Sequence, residues 1–287
     1  MKVKFVLQSE YMATRRGNPV PNPPRKGEGG RGNPPRTGEG ERAHRRSYDQ
    51  YCAVARGLDV IGERWTLLIV RDLLLGPKRY KDLLVGLPGI GTNLLAHRLR
   101  EMEEYGLVER TTLPPPLAVP VYRLTPTGEG LAPALSAIGR WGAQYLRSGP
   151  RKSDVMVPRA YFVAMRGTFN PQAAADLNAT YELHVNDLVF EVGIRDGRIT
   201  TREAQASHPD ATMTMDVETL NALMFRLLTP AAALESGRVR IEGDPDTLEK
   251  FVGVFGFHTA IGMRDTGSTH AVRKASVGAS RAARKAG

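Results

Sequence analysis

The stretch 76–108, GPKRYKDLLVGLPGIGTNLLAHRLREMEEYGLV, constrains the fold more than any other part of this chain. A short helical run at 80–85 and a longer one at 92–105 are separated by Gly86, Pro88, Gly89 and Gly91. Two helices joined by so tight a turn have the layout of a helix-turn-helix unit. In the longer run Leu95, Leu99 and Met102 recur at spacings of four and three, so one face is apolar. At about 100° per residue, Asn93, His97 and Arg100 fall on the opposite face. That face offers an amide, an imidazole and a guanidinium, which suit base edges and phosphates. A solvated face on an ordinary helical hairpin fits the same residues.

Around this unit the pattern reads as a larger domain over 48–147. Tyr51, Val54, Ala55, Leu58 and Ile61 recur at helical spacing; Gly62 interrupts, and Trp65, Leu68, Ile69 and Leu73 resume the stripe. Segments 107–112 and 120–125 read as two strands around Pro114-Pro115-Pro116, a β-hairpin placed as a wing. Thr125 is the expected N-cap of a following helix, with Pro126 at its first position. That helix carries Leu131, Leu135, Ile138, Trp141 and Tyr145. Its last aromatics exceed what so small a domain buries alone. A dimer contact with the first helix would take them up, as would packing on a second domain.

Several runs in order carry a resemblance: 52–69 (CAVARGLDVIGERWTLLI), Gly76-Pro77-Lys78-Arg79-Tyr80, Leu87-Pro88-Gly89-Ile90, 99–110 (LREMEEYGLVER) and 122–128 (YRLTPTG). Together they closely resemble the HxlR family of winged helix-turn-helix transcription regulators. The resemblance implies a DNA-binding homodimer held by its terminal helices, and it favours a repressor over an activator. It implies that Thr92, Asn93, His97 and Arg100 face the major groove of double-stranded DNA and that Lys78 and Arg79 reach phosphates. The wing departs from the family pattern. Its tip, 113–119, is apolar and proline-rich, leaving only Arg110 and Arg123 near its base to meet the backbone. Cys52 sits where some relatives carry a redox- or electrophile-sensing cysteine. It reads either as such a sensor, with Arg56 one turn away lowering its pKa, or as a small buried helix residue.

The rest of the chain splits by composition. Residues 1–47, rich in Gly, Pro and Arg, lack apolar periodicity and read as a disordered basic arm; upstream translation ahead of a later start codon explains them equally well. Residues 148–158 read as a linker, 159–263 as an α+β domain, and 264–287 as a disordered basic tail. The formal charge of +10 for the whole chain lies mostly in the tails, +7 over 1–47 and +5 over 264–287. The 48–150 segment carries only +2 and 151–263 carries −4, so the second domain is a poor surface for DNA.

In the second domain, alternating runs at 180–185, 188–194, 198–205 and 211–215 predict an antiparallel sheet with helices on one face. Asn186-Asp187 and Asp196-Gly197 suit two-residue hairpin turns. Helical runs are expected at 172–178, 217–228, 230–235 and 245–257, while 159–165 fits helix or strand. Asp196-Gly197-Arg198-Ile199, 209–215 (PDATMTM), Leu220-Asn221-Ala222-Leu223 and 237–245 (GRVRIEGDP) resemble the sterol-carrier-protein fold. That resemblance implies an apolar tunnel for a lipid or another hydrophobic small molecule, or a domain that serves only to support dimerisation. Phe190, Val192, Met213, Met215, Leu223, Met224, Phe225, Phe251 and Phe255 are the lining candidates; they suit an ordinary filled core as well.

The expected architecture is therefore multidomain: an α-rich winged helix-turn-helix followed by a sterol-carrier-like α+β domain. No G-x-S-x-G, Walker A, H-E-x-x-H or dinucleotide fingerprint is present, and the six histidines are scattered. No catalytic residue, cofactor or metal site is expected, and the single cysteine excludes an intrachain disulfide. No apolar run approaches the ~20 residues of a membrane helix, so no membrane partner is expected and the chain reads as cytoplasmic. A lipid carrier whose first domain only dimerises is the alternative reading.

Overall fold

The structure, a computed structural model, describes residues 47–146 and 148–257. The basic arm and tail expected at the two ends fall almost wholly outside the described residues. The first half is built of α1 (Ala53–Ile61), α2 (Thr66–Leu73), α3 (Tyr80–Gly86) and α4 (Thr92–Glu104). The hairpin β1 (Val108–Thr112) and β2 (Pro120–Leu124) follows, then α5 (Pro126–Glu129) and α6 (Ala132–Gly142). Its core is formed by Ile69, Val70 and Leu73 of α2, Leu83 of α3, Leu95, Leu99 and Met102 of α4, and Val108 and Leu124 of the wing. The 3.6-residue stripe on α4 is thus the face that packs.

The hairpin pairs Val108 with Leu124 through Thr112 with Pro120, antiparallel. A single antiparallel bridge residue joins it: the Lys78 amide donates to the Tyr122 carbonyl at 2.9 Å, and the Tyr122 amide donates to the Lys78 carbonyl at 2.8 Å. Thr125 caps α5 as its sequence predicts, accepting from the Gly128 amide at 3.2 Å. The single helix expected from Pro126 to Tyr145 is, however, divided into α5, α6 and a 3-10 turn at Ala143–Leu146.

The second half begins with α7 (Pro158–Thr168), resolving the helix-or-strand ambiguity at 159–165. Proline at the first turn and Phe162, Val163 and Met165 on the buried side favour the helix. The predicted helical piece at 172–178 is instead a run of turns closed by Asn170, whose side chain accepts from the Gln172 amide at 3.0 Å. Strands β3 (Ala179–Val185), β4 (Leu188–Arg195), β5 (Arg198–Arg202), β6 (Ala211–Met215) and β7 (Arg240–Glu242) form one sheet in the order β5-β4-β3-β6-β7. Helices α8 (Val217–Met224), α9 (Pro230–Glu235) and α10 (Thr247–Gly253) complete the fold.

The sheet is not purely antiparallel, as the alternation predicts, but mixed, because β3 and β6 run parallel. The β3-β4-β5 meander leaves one edge of β3 open. The chain reaches that edge from the far side of the meander and arrives in the same direction as β3. Asn186, Asp196 and Gly197 all take positive φ, as two-residue hairpin turns require. The inward residues of β3, β4 and β6 meet Phe162, Leu220, Leu223, Leu248 and Phe251 in a second core.

Candidate nucleic-acid interface

The packing of α4 fixes what it presents outward. With Leu95, Leu99 and Met102 buried, Thr92, Asn93 and Arg100 are exposed and His97 is half-buried. All four lie in the first nine residues of the helix, the portion that enters a major groove in this motif. The acidic residues Glu101, Glu103 and Glu104 occupy the last turn. His97 Nε2 is 3.5 Å from Glu101 Oε1, and Arg100 Nε reaches back to the Ala96 carbonyl at 3.4 Å. The Tyr80 hydroxyl donates to the Thr92 carbonyl at 2.6 Å, tying the start of α3 to the start of α4.

The expected phosphate contacts divide. Arg79 is exposed and sits at the N-terminus of α3, its Nε 3.0 Å from Asp82. Arg123 on the wing is half-exposed and paired with Glu109 at 2.7 Å. Lys78 is a correction. It is 3% exposed, its ammonium 3.4 Å from Glu203 of the second half and 3.3 Å from the Gly76 carbonyl. Its backbone bridges the wing at Tyr122 and its side chain turns inward, so it is withdrawn from any phosphate. Arg110 is exposed on β1, and Leu117 at the wing tip is exposed and apolar.

Cys52 is exposed just ahead of α1, which removes the reading of it as a buried helix residue. Its thiol pKa is lowered first by the Ala55 amide and then by the Val54 amide. Arg56, expected to do this, is engaged with Asp59 at 3.3 Å.

The candidate tunnel residues are also a correction. Phe190, Val192, Met213 and Leu223 have no accessible surface, so no water-sized void lies against them, and Met215, Met224, Phe251 and Phe255 are buried. The Phe190 ring stacks on Phe162 with centroids 3.7 Å apart, and Phe251 meets both Tyr181 and Phe255 edge-on at 5.1 Å. Phe225, partly buried, lies at the rim against Phe257. These side chains fill the core. Among the described residues no group of three or more His, Cys, Asp or Glu is placed to hold a metal. None of the described helices is long and apolar enough to cross a membrane.

Residues 60–150 match the family described as HxlR-like helix-turn-helix. YvaP of Bacillus subtilis (strain 168), an uncharacterized HTH-type transcriptional regulator, is 34% identical over 91 residues, which span 32% of this chain and 84% of YvaP. The chain belongs to the HxlR-like helix-turn-helix family. A second family relative, the HTH-type transcriptional regulator YodB of the same organism, is 36% identical over 90 residues, 31% of this chain and 80% of YodB. The family portion thus ends near α6, and residues 156–259 match a different family, described as alkyl sulfatase C-terminal. A solved double mutant of the sec-alkyl sulfatase PisA1 aligns with 23% identity and a TM-score of 0.32, over 34% of this chain and 16% of that one.

Proposed function

We propose that this chain is a homodimeric, non-enzymatic transcription regulator of the cytoplasm that binds double-stranded DNA through α4. The exposed Thr92, Asn93 and Arg100, with the half-buried His97 among them, on a helix whose opposite face locks the motif core are the observation that carries this reading. Asn93 and Arg100 are the side chains suited to bidentate contact with adenine and guanine edges. Arg79, Arg110 and Arg123 supply sequence-independent phosphate contacts. Family membership supports the regulator role, and the resemblance favours repression.

Two apolar helix faces support dimerisation. On α1 and just before it, Tyr51, Val54 and Leu58 are exposed; on α6 and the turn after it, Ile138, Trp141, Tyr145 and Leu146 are exposed. Trp141 is 64% exposed with Tyr145 against its edge at 5.4 Å. Side chains of this size left exposed on the first and last helices of this half suit a two-fold contact. Replacing Trp141 and Tyr145 together by Ser is expected to shift the protein to monomer in sedimentation velocity and to weaken operator binding. A dimer unchanged at micromolar concentration would count against this face.

The second half serves as a structural partner of the DNA-binding half; the filled core disfavours the lipid-carrier alternative. Arg100→Ala and His97→Ala are each expected to cost about 1–3 kcal/mol in binding to a selected operator and to relax base preference. Fluorescence anisotropy on the operator and on single-base variants of it reads both quantities. Unchanged affinity and preference in both variants would discard the assignment of α4.

A further inference from the structure

The two halves meet at a buried ionic joint centred on Arg159, the second residue of α7 and 4% exposed. Its Nε and Nη2 donate to the two oxygens of Glu203 at 2.6 and 2.8 Å, a bidentate pair. Its Nη1 donates to the Asp82 carbonyl of α3 at 3.1 Å and lies 3.8 Å from Asp72 Oδ2 of α2. Glu203 also holds the ammonium of Lys78 at 3.4 Å, and its amide donates to the Leu75 carbonyl at 2.9 Å. A second arginine of α7, Arg166, donates to the Leu74 carbonyl at 3.1 Å and to Thr201 Oγ1 at 2.8 Å.

Each attachment falls on a piece that sets the DNA-reading helix. Asp72 is on α2, Asp82 is on α3, and Lys78 is the bridge residue that pairs with the wing at Tyr122. Tyr80 of α3 in turn holds the first residue of α4. Burying several charges is a poor way to gain stability, since apolar residues of the same volume do as well or better. What such a network does supply is one fixed geometry, because directional bonds to carbonyls and carboxylates are lost on small rotations. Burial works against the charged form of Glu203, yet Arg159 and Lys78 hold its pKa below the ordinary carboxylate value. Burial pushes the pKa of Asp72 up, and its Oδ2 has no hydrogen-bond partner.

We propose that Arg159 is a positioning residue for DNA binding: from the second half it fixes α2, α3 and the wing relative to one another and so sets the pose of α4. This rests on the DNA-binding reading above. The chemical partner is internal, so the joint is where a change in the second half crosses to the recognition helix. It also gives the second half a role that needs no bound ligand.

The test uses the full chain and the duplex that the wild type selects from a random-sequence library. Arg159→Lys keeps the charge but loses the bidentate geometry, and the double variant Arg159→Met/Glu203→Met removes both members of that pair, leaving Lys78 its bond to the Gly76 carbonyl and Asp72 its pair with Arg71. Binding to the selected duplex and to a scrambled one is measured alongside thermal unfolding and hydrogen exchange over residues 80–104. The expected result for both variants is a loss of about tenfold in the preference for the selected duplex, within the range of coupling between sites, with faster exchange in α3. Variants that stay folded and keep the wild-type preference within twofold overturn the proposal. So does a loss that affects both duplexes equally and tracks the fall in stability, which marks a merely structural joint. If Arg159→Lys does not fold, the double variant decides. A wild type that selects no duplex at all defeats the DNA-binding reading itself, a different failure from an intact preference in the variants.

Discussion

Phe190→Ala lowers the stability of the second half by about 3–5 kcal/mol. The ring has no accessible surface and stacks on Phe162 at a centroid distance of 3.7 Å, with planes 11° apart. Removing it forfeits both the transfer free energy of the ring and the aromatic contact, and it opens a cavity between α7 and the sheet. Leu183, Met213 and Leu223, its neighbours in the same core, are equally shut off from solvent, so the space cannot be refilled from outside. Urea unfolding followed by far-ultraviolet circular dichroism measures the loss. A cost below about 1 kcal/mol would mean that the site was already loosely packed. It would return weight to a ligand tunnel through Phe190, Val192, Met213 and Leu223.

Gly86→Ala is expected to destabilise the chain by about 3 kcal/mol, where overpacking (roughly 1–3) meets the loss of a buried ion pair (roughly 3–5). Gly86 ends α3 and is buried. A Cβ there would sit 2.3 Å from Arg159 Nη1 and 2.3 Å from Asp72 Oδ2. Ordinarily the tips of two polar side chains would move aside cheaply. Here neither is free to do so. Arg159 is held by both oxygens of Glu203, and Asp72 is buried against Arg71 at 2.7 Å. The methyl therefore breaks the joint or shifts α3. Differential scanning calorimetry of the full chain reads the effect as a lowered or split transition. An unchanged Tm would show that the two halves are not locked at this point.

The first half of the fold was legible because its signals are local. The α4 stripe of Leu95, Leu99 and Met102, the Thr125 cap and the glycine-rich turn each act over a few residues, and the structure uses each of them. The second half was legible in its hairpin turns at Asn186 and Asp196 and in its alternating strands. It was not legible in the parallel pairing of β3 with β6. Alternation records which face is buried, not which strand lies beside which. The burial of Lys78 likewise depends on contacts that are distant in sequence. A lysine ahead of the first motif helix looks available to phosphate, and only its backbone bridge to Tyr122 and its ion pair with Glu203 of the second half turn it inward. Arg159 and Glu203, 44 residues apart, carry no shared local pattern, so nothing in the sequence marks them as partners. The Met and Phe side chains of the core fit a tunnel and a filled interior alike; their accessible areas decide for the filled interior.

Hydroxyl-radical footprinting of the wild-type chain on its selected duplex tests the central claim most directly. A dimer reading DNA through two copies of α4 should protect two inverted half-sites about one helical turn apart, 10–10.5 base pairs centre to centre, or a multiple of that. Arg100→Ala should weaken both in parallel. Protection that is uniform along the duplex and vanishes with competitor DNA would contradict it.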